Sequence, residues 1–185
     1  DVYVFDAFGT SHRPHASTYG AIKASEVSCA GLLLEIETDA LQQAISSKNS
    51  PMLSIVGGSK VSSKLKVIKN LSKISDDVLT GGGITNTILK AQGHNIGLSL
   101  HEDSMLNDAK ELLDTGKILL PDEVVVSKDI ESNNTRVTKV NSVQHDEIIL
   151  DQILSPAIIK KIIQAKKIIW NGPVGVFERQ PFSLG

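Results

Sequence analysis

The sequence has a single cysteine, so it lacks the pair that an intrachain disulfide requires. One unpaired thiol is typical of a reducing compartment, and we expect Cys29 to be a small buried residue. An excess of charge of one sign is also missing, because 19 basic and 21 acidic side chains give a formal net charge of −2. This balance argues against a nucleic-acid partner, since nucleic-acid-binding domains are usually strongly basic.

Long apolar runs are absent as well. The longest contain at most five residues, whereas a membrane-spanning helix needs about 20. Neither an initiator Met nor a signal-peptide core is present, and a strand-like run at residues 1–5 opens the chain. We therefore expect an internal piece of a longer protein, with no membrane partner and with part of its site elsewhere. The composition, 41% apolar and 22% charged, is that of an ordinary globular domain.

A recurring unit organises the rest of the chain: a short apolar run ends in glycine, and a helical pattern such as residues 84–91 follows. These runs are Met52–Val56, Val78–Thr80 and Ile168–Trp170. Continuous apolar runs predict strands buried on both faces, as in parallel sheets, with Trp170 in the core. Strands that alternate with helices predict an α/β fold with a doubly wound, mainly parallel sheet.

Two segments depart from this unit. Polar turns separate three strand-like runs at 123–126, 136–140 and 147–150, which predicts a strand followed by a small hairpin-like excursion. Earlier, residues 31–45 carry an apolar stripe at helical spacing and predict an amphipathic helix of about four turns. The polar stretch 46–51, which ends in proline, follows this helix. The helix is therefore a candidate connector between two domains.

The segment Gly57–Lys64, GGSKVSSK, has the features of a phosphate-binding loop. A strand ends, two glycines follow, and the first N–H groups of a helix then point at an anion held by the loop. The spacing is not that of a Walker A loop. Five lysines and no acid lie within residues 57–75. Lys66, Lys69 and Lys73 share one side of the helix and predict a solvated face.

Lys60 and Lys64 fall on the opposite side of this helix, together with apolar residues such as Val61 and Ile68. A charge at Lys64, on the core-facing stripe, is costly unless an anionic partner neutralises it. Phosphate would be such a partner. The alternative is that both lysines extend past the helix end into water.

Two further loops follow strands. The glycines at 81–83 are compatible with a tight turn, but a second glycine-rich strand end also suits a nucleotide crevice at the carboxyl edge of the sheet. The loop NGPVGVFE after Trp170 begins with a turn. Glu178 at its end could accept hydrogen bonds from ribose hydroxyls, or it could be an ordinary surface glutamate.

A fourth cluster lies in the loop 9–15, where two histidines and Arg13 stand within four residues. Arginine can hold a phosphate or carboxylate through two N–H groups, which makes this loop a candidate anion site. His12 and His15 could instead form half of a metal site, although no Cys, and no further close pair of Asp, Glu or His, completes it. A histidine-rich turn without function is the third possibility.

Taken in order, these motifs make the chain resemble phosphoglycerate kinases, a family of two-lobed glycolytic enzymes. The stretches that carry the resemblance are DAFGTSHRPHAS at 6–17, AGLLLEIE at 30–37, IVGGSKVSSK at 55–64, TGGGITNTILKAQG at 80–93 and IIWNGPVGVFE at 168–178. Any one of them alone is only suggestive, whereas five in register are specific.

The resemblance implies a domain plan and an activity. Residues 1–29 would end an amino-terminal lobe that binds 3-phosphoglycerate, and residues 30–50 would form the helix and linker between lobes. Residues 51–185 would make most of a nucleotide-binding lobe, with the sheet incomplete. The implied reaction moves a phosphoryl group reversibly between 1,3-bisphosphoglycerate and ADP, giving 3-phosphoglycerate and ATP. Mg²⁺ would accompany the nucleotide, in a cytoplasmic monomer.

Matched position by position, the resemblance also implies roles for single residues. His12 and Arg13 would hold 3-phosphoglycerate, and Arg13 would be catalytic. Lys60 would be catalytic too, steadying the phosphoryl group in transit. The implied nucleotide-binding positions are Gly58, Ser59, Lys60, Lys64, Gly83, Asn171, Gly172, Val174 and Glu178.

The sequence departs from the family pattern in places. Phe5 stands where the family commonly has Asn, and Ser59 where it commonly has Ala. Residues 150–156 lack the usual Gly-Pro pair. The chain stops before a later Gly-Gly-Gly-Asp-Thr motif, whose Asp helps to hold the metal-bound nucleotide in the family. We therefore expect this piece alone to be inactive.

Two other classes of function stay open from the residues themselves. One is a nucleotide-binding module without catalysis, which nucleotide affinity without phosphoryl transfer would favour. The other is a metal-dependent hydrolase that uses His12 and His15, which tightly bound metal would favour.

Overall fold

The computed structural model describes residues 1–46 and 50–185. The chain divides into two compact units, Asp1–Lys48 and Asn49–Gly185. The middle of the predicted linker, residues 47–49, lies outside the described residues.

The first unit is built on two parallel strands joined by short helical turns. Its elements are β1 (Val2–Phe5), α1 (Ala21–Ala24), β2 (Val27–Ala30) and α2 (Leu32–Ser46). Asp6, directly after β1, accepts a hydrogen bond at 2.7 Å from the backbone N–H of Leu34. This carboxylate satisfies one of the free N–H groups at the start of α2 and so fixes the helix to the strand.

Helix α2 confirms the amphipathic helix predicted for residues 31–45, shifted by one residue. Its apolar stripe is largely exposed: the exposed fraction is 77% for Leu32 and 66% for Ile36. The prediction that Cys29 is buried is wrong, because every residue of β2 is exposed. A two-stranded sheet covers little of either strand.

The second unit is larger. Its elements are, in chain order, β3 (Met52–Val56), α3 (Val61–Ile74), β4 (Asp77–Thr80), α4 (Gly83–Ala91), α5 (Leu106–Asp114), β5 (Ile118–Leu119), β6 (Glu123–Ser127), β7 (Arg136–Lys139), β8 (Ile148–Ile153), α6 (Pro156–Gln164) and β9 (Lys167–Asn171).

A four-stranded parallel sheet forms the centre of this unit, in the order β5-β4-β3-β9. All five residues of β3 are buried. Val56 and Val78 pack with residues of α3, α4 and α5, whereas Leu53 and Ile55 pack with Ile158 of α6. Helices therefore cover both faces, which confirms the predicted doubly wound α/β fold.

Strand β9 lies at one edge of that sheet, which bears on Trp170. The side chain of Trp170 is 66% exposed, and its Nε1–H donates to the carbonyl oxygen of Gly172 at 2.8 Å. The prediction that Trp170 is a core residue is therefore wrong. An edge strand has a neighbouring strand on one side alone, and its side chains are less enclosed.

The three strands predicted beyond residue 119 form a second, antiparallel sheet in the order β7-β6-β8. Arg136 at the start of β7 donates from Nη2 to Oε2 of Glu147 at 2.8 Å, just before β8. Strand β7 follows β6 as its antiparallel partner, and β8 returns to the other side of β6, which confirms three strands with a hairpin-like excursion. Among residues 1–46 and 50–185, no helix combines the length and apolar composition that a bilayer crossing requires.

Candidate functional site

The carboxyl ends of β3, β4 and β9 meet at one edge of the parallel sheet. Val56, the last residue of β3, pairs with Thr80 of β4 and Asn171 of β9. Backbone hydrogen bonds continue past the strand ends. The N–H of Gly57 donates to the carbonyl oxygen of Asn171 at 3.0 Å, and the N–H of Gly82 donates to the carbonyl oxygen of Val174 at 2.9 Å. The three loops that the sequence singled out are thus held together.

Glycine allows this close approach. Gly82 has φ of +64° and ψ of −143°, a conformation that side chains strongly disfavour. A Cβ atom on Gly82 would come within 2.9 Å of the carbonyl oxygen of Gly58. The glycine loop after β3, residues 57–58, and the glycine loop after β4, residues 81–83, therefore touch through their backbones.

A cleft of about 530 Å³ opens beside these loops. Of the residues with an implied role, Gly58, Ser59, Gly83 and Glu178 line it. Glu178 is exposed, as is Ser59. Glycine backbone and an exposed carboxylate in one cleft are suited to a polar ligand with hydroxyl groups.

Apart from Asn86, the remainder of the cleft lining is apolar, and sequence reasoning missed it. Leu98, Leu100 and Ile130 line this part together with Ile148 and Val176. Leu98 is 66% exposed and Leu100 is 56% exposed. Exposed leucines at the wall of a cleft are suited to a flat aromatic group. No motif in the sequence marks Leu98 or Leu100 as part of a site, and the two residues lie in an irregular segment rather than a strand.

Five other predicted nucleotide-binding residues lie outside this lining: Lys60, Lys64, Asn171, Gly172 and Val174. Lys64 is half-buried, and its Nζ donates to Oδ1 of Asn171, which joins α3 to the end of β9. Lys64 also lies beside Gly58. The backbone of Gly172 packs on Gly57. Val174 is 8% exposed, and its side chain is part of the core and packs against Gly81.

Lys60 differs from Lys64. It precedes α3 with extended backbone angles, φ of −88° and ψ of 98°, so it lies on no face of the helix. The expectation that Lys60 shares the apolar side is therefore wrong, and its side chain is exposed. No acid among the described residues lies within ion-pair distance of Lys60. Its charge is available to an anionic ligand.

The sequence predicts that the N-terminus of α3 is open to a phosphate, but a carboxylate of the same chain occupies it. Glu102 accepts hydrogen bonds from the backbone N–H groups of Val61 at 2.7 Å and Ser62 at 3.2 Å. Burial opposes the charged form of Glu102, but the hydrogen bonds from Ser62 and Val61 outweigh it and hold the pKa below its ordinary value. The carboxylate therefore occupies the place that the sequence assigned to a ligand.

The lysines on the other side of α3 are only partly a solvated face. Lys66 and Lys73 are exposed, as predicted. Lys69 is half-buried and pairs with Asp108 at 2.7 Å and Glu111 at 2.8 Å, both on α5. These hydrogen bonds raise the pKa of Lys69. Lys69 therefore connects two helices, and the prediction for it is wrong.

The remaining predicted residues belong to the first unit. His12 and Arg13 are exposed, and Nε–H of Arg13 donates to Nε2 of His12 at 3.3 Å. The hydroxyl of Thr18 donates to the carbonyl oxygen of Arg13, which shapes the loop. Within residues 1–46 and 50–185, no group of three or more His, Cys, Asp or Glu side chains could hold a metal ion.

Known proteins resemble this chain over its whole length. The family model described as phosphoglycerate kinase matches residues 1–185. The phosphoglycerate kinases of Baumannia cicadellinicola subsp. Homalodisca coagulata and Mannheimia succiniciproducens are each 48% identical to the chain, over 187 and 188 residues. In both cases all of this chain is covered, together with 48% of the relative. The chain thus spans about half the length of these curated relatives.

Solved structures give the same result. The phosphoglycerate kinase of Coxiella burnetii matches the whole chain with a TM-score of 0.89 and 39% identity, over 50% of its own length. That of Pyrococcus horikoshii OT3 matches the whole chain with a TM-score of 0.81 and 31% identity, over 49% of its length. The chain belongs to the phosphoglycerate kinase family.

Proposed function

We propose that the complete protein containing this chain transfers a phosphoryl group between 1,3-bisphosphoglycerate and ADP, giving 3-phosphoglycerate and ATP, and catalyses the reverse reaction. The observation that carries this proposal is the arrangement of Lys60 and Lys64 beside the glycine loops. Lys64 lies against Gly58 and bonds Asn171, and Lys60 is exposed. Membership of the family supports the same conclusion.

This chemistry needs charge neutralisation and positioning rather than a protein nucleophile. An oxygen of the terminal phosphate of ADP attacks the phosphorus, the bond between phosphorus and the acyl oxygen breaks, and 3-phosphoglycerate leaves as a carboxylate. No proton has to be moved. We assign Lys60 to the phosphoryl group in transit, because its charge is unpaired, and Lys64 to the phosphates that lie over Gly58.

The cleft provides a place for the nucleotide. The base would lie against Leu98, Leu100 and Ile130, and the ribose hydroxyls would donate to Glu178, which lines the same cleft. The phosphates would then reach Gly58, Ser59 and Gly83, with Asn171, Gly172 and Val174 holding the neighbouring loop. Mg²⁺ would enter with the nucleotide as part of the substrate.

The acceptor side belongs to the first unit in this proposal. Residues 1–29 would end the lobe that binds 3-phosphoglycerate, residues 30–50 would connect the lobes, and residues 51–185 would bind the nucleotide. Arg13 and His12 are exposed on a loop that follows β1, where a guanidinium can bind carboxylate or phosphate through two N–H groups. We further propose a cytoplasmic enzyme that acts as a monomer.

The test is ATP formation from 1,3-bisphosphoglycerate and ADP by the complete protein. Lys60→Ala should lower kcat about a hundredfold, because one donor to the transition state contributes roughly 3 kcal/mol, while ADP affinity stays nearly unchanged. Lys66→Ala is the matched control, since it removes another exposed lysine, six residues later on α3. A Lys60→Ala kcat within about threefold of the parent contradicts the role of Lys60.

Arg13→Ala supplies the second arm of the test. It should weaken 3-phosphoglycerate binding and leave ADP binding nearly intact, because Arg13 and the cleft belong to separate units. Titration calorimetry with each ligand measures this, and equal losses for both ligands would contradict the assignment. A complete protein that binds ADP without turnover would be a nucleotide-binding module instead.

A further inference from the structure

Glu102 stands out because it binds the start of α3, directly after Lys60 and one turn before Lys64. Its two carboxylate oxygens accept from consecutive backbone N–H groups, Val61 at 2.7 Å and Ser62 at 3.2 Å. Lys60 is the residue immediately before Val61, and Lys64 follows one turn later. A carboxylate far along the chain thus sets where the lysine-bearing segment begins.

Glu102 is itself fixed to the wall of the cleft. Its backbone N–H donates to Oγ1 of Thr87 at 3.1 Å, and Thr87 Oγ1 donates to the carbonyl oxygen of Gly83 at 2.8 Å. Asn86 Nδ2 donates to the carbonyl oxygen of Leu100, two residues before Glu102, at 3.1 Å. Hydrogen bonds therefore connect the segment that contains Leu100 and Glu102 both to α4 and to the start of α3.

This placement has a consequence for how an anion can bind. The N–H groups of Val61 and Ser62 would attract a phosphate if they were free, since a helix N-terminus carries partial positive charge. Glu102 already fills that position with a negative group. A ligand phosphate must therefore rely on the lysine side chains and on the backbone of Gly58 and Ser59.

We propose that Glu102 is a positioning residue: it fixes the start of α3 so that Lys60 meets the transferring group, and it keeps phosphate away from the N-terminus of α3. The inference rests on the proposed function for the role of Lys60. It predicts that Glu102 acts on the chemical step more than on nucleotide binding, because misplacement of a catalytic group by about 1 Å can cost a hundredfold in rate.

The experiment compares variants of the complete protein. Glu102→Ala should lower kcat at least about tenfold and change the ADP dissociation constant less than about threefold. Glu102→Gln keeps the length and one acceptor oxygen, and it should restore most of kcat. Glu111→Ala is the matched control, since Glu111 is an exposed acid that contacts α3 through Lys69, and it should leave kcat unchanged.

Glu102→Asp guards against a Glu102→Ala variant that fails to fold. It keeps the charge but shortens the side chain by one carbon, so it should lower kcat several-fold while Glu102→Gln does not. Values of kcat within about twofold of the parent for both Glu102→Asp and Glu102→Ala would overturn the proposal.

A second readout needs no turnover. Glu102→Ala frees the two N–H groups, so inorganic phosphate should bind it at least about tenfold more tightly than it binds the parent, as measured by calorimetry. Equal phosphate affinity would overturn the proposal. If the parent forms no ATP, the proposed function fails, and the phosphate affinities still show whether Glu102 occludes this helix end.

Discussion

Two buried acids of the second unit, Asp151 and Glu147, have pKa values that are shifted in opposite directions. Glu147 receives hydrogen bonds from Arg136 and from the backbone N–H of Gln144 at 2.8 Å. Burial opposes its charge, but these bonds outweigh burial and hold the pKa of Glu147 below its ordinary value. Asp151 is 2% exposed, and burial raises its pKa despite backbone hydrogen bonds such as that from Leu184.

Opposite pKa shifts predict opposite effects of removing the charge. The folded pKa of Asp151 lies above its unfolded value, so its charged form costs stability, and that cost grows as pH rises through the folded pKa. Asp151→Asn should therefore raise Tm by a few degrees at about pH 7. The amide oxygen can still accept from Leu184 and Gly185, as Oδ2 of Asp151 does at 2.6 and 3.1 Å.

Glu147→Gln is the matched comparison in this experiment. The folded pKa of Glu147 lies below its unfolded value, so its contribution is present at neutral pH and is lost as pH falls through the folded pKa. The substitution should lower Tm at about pH 7, since hydrogen bonds to a charged group contribute about 2 kcal/mol. Thermal melts of the complete protein from about pH 4 to 8 check both signs; shifts of the same sign for both variants would contradict this account.

Single residues were predictable where a local motif marks them. Gly58, Ser59, Gly83 and Glu178 follow strand ends and line one cleft. Glu102 was not predictable, because it meets Val61 across 41 positions of the chain and no motif surrounds it. Contacts between residues so far apart in the chain depend on how the elements pack, and the hydrophobic periodicity of the sequence contains no information about that packing.

At the scale of elements, the loops after β3 and β4 depend on glycine conformation. Gly82→Ala should destabilise the complete protein by about 1–3 kcal/mol through backbone strain and further through contact with Gly58, 2.9 Å from the added Cβ. It should also weaken ADP binding, because Gly82 lines the cleft.

The variant Gly116→Ala separates the effect of backbone strain from the effect of a new contact at the added Cβ. Gly116 has φ of +68°, close to that of Gly82, yet a Cβ there would meet nothing within 4 Å. It should lower Tm modestly and leave ADP affinity unchanged. Equal ADP affinities for the two variants, measured by calorimetry, would show that the contact between the glycine loops does not shape the cleft.

The strands of the parallel sheet and α2 were predictable because their apolar patterns are continuous or strongly periodic. Strand β5 was not, since it has two residues, Ile118 and Leu119, both half-buried. The apolar run that ends at Trp170 resembles β3, and for that reason the sequence predicts a core position for Trp170. The order of strands decides whether such a run is central or at an edge, and a single run of sequence does not contain that order.

At the scale of the whole molecule, the chain divides between two units and spans about half of its curated relatives. Apolar side chains are exposed in both units: Leu32 and Ile36 on α2, and Ile163 on α6 at 78%. Exposed apolar faces and an edge strand such as β9 favour association with other chains. We therefore expect residues 1–185, produced alone, to aggregate or to bind ADP weakly.

Residues 1–185 alone should also be catalytically silent. In the proposed reaction, rate depends on several charged groups held in place together, and such catalysis falls steeply when some of them are missing. In the proposal, Arg13 and His12 supply part of an acceptor site, and Lys60 and Lys64 supply part of a phosphate site. A coupled ATP-forming assay, run beside the complete protein at equal concentration, measures the difference. Turnover within about tenfold of the complete protein would show that the segments outside residues 1–185 are dispensable, which contradicts the expectation that part of the active site lies there.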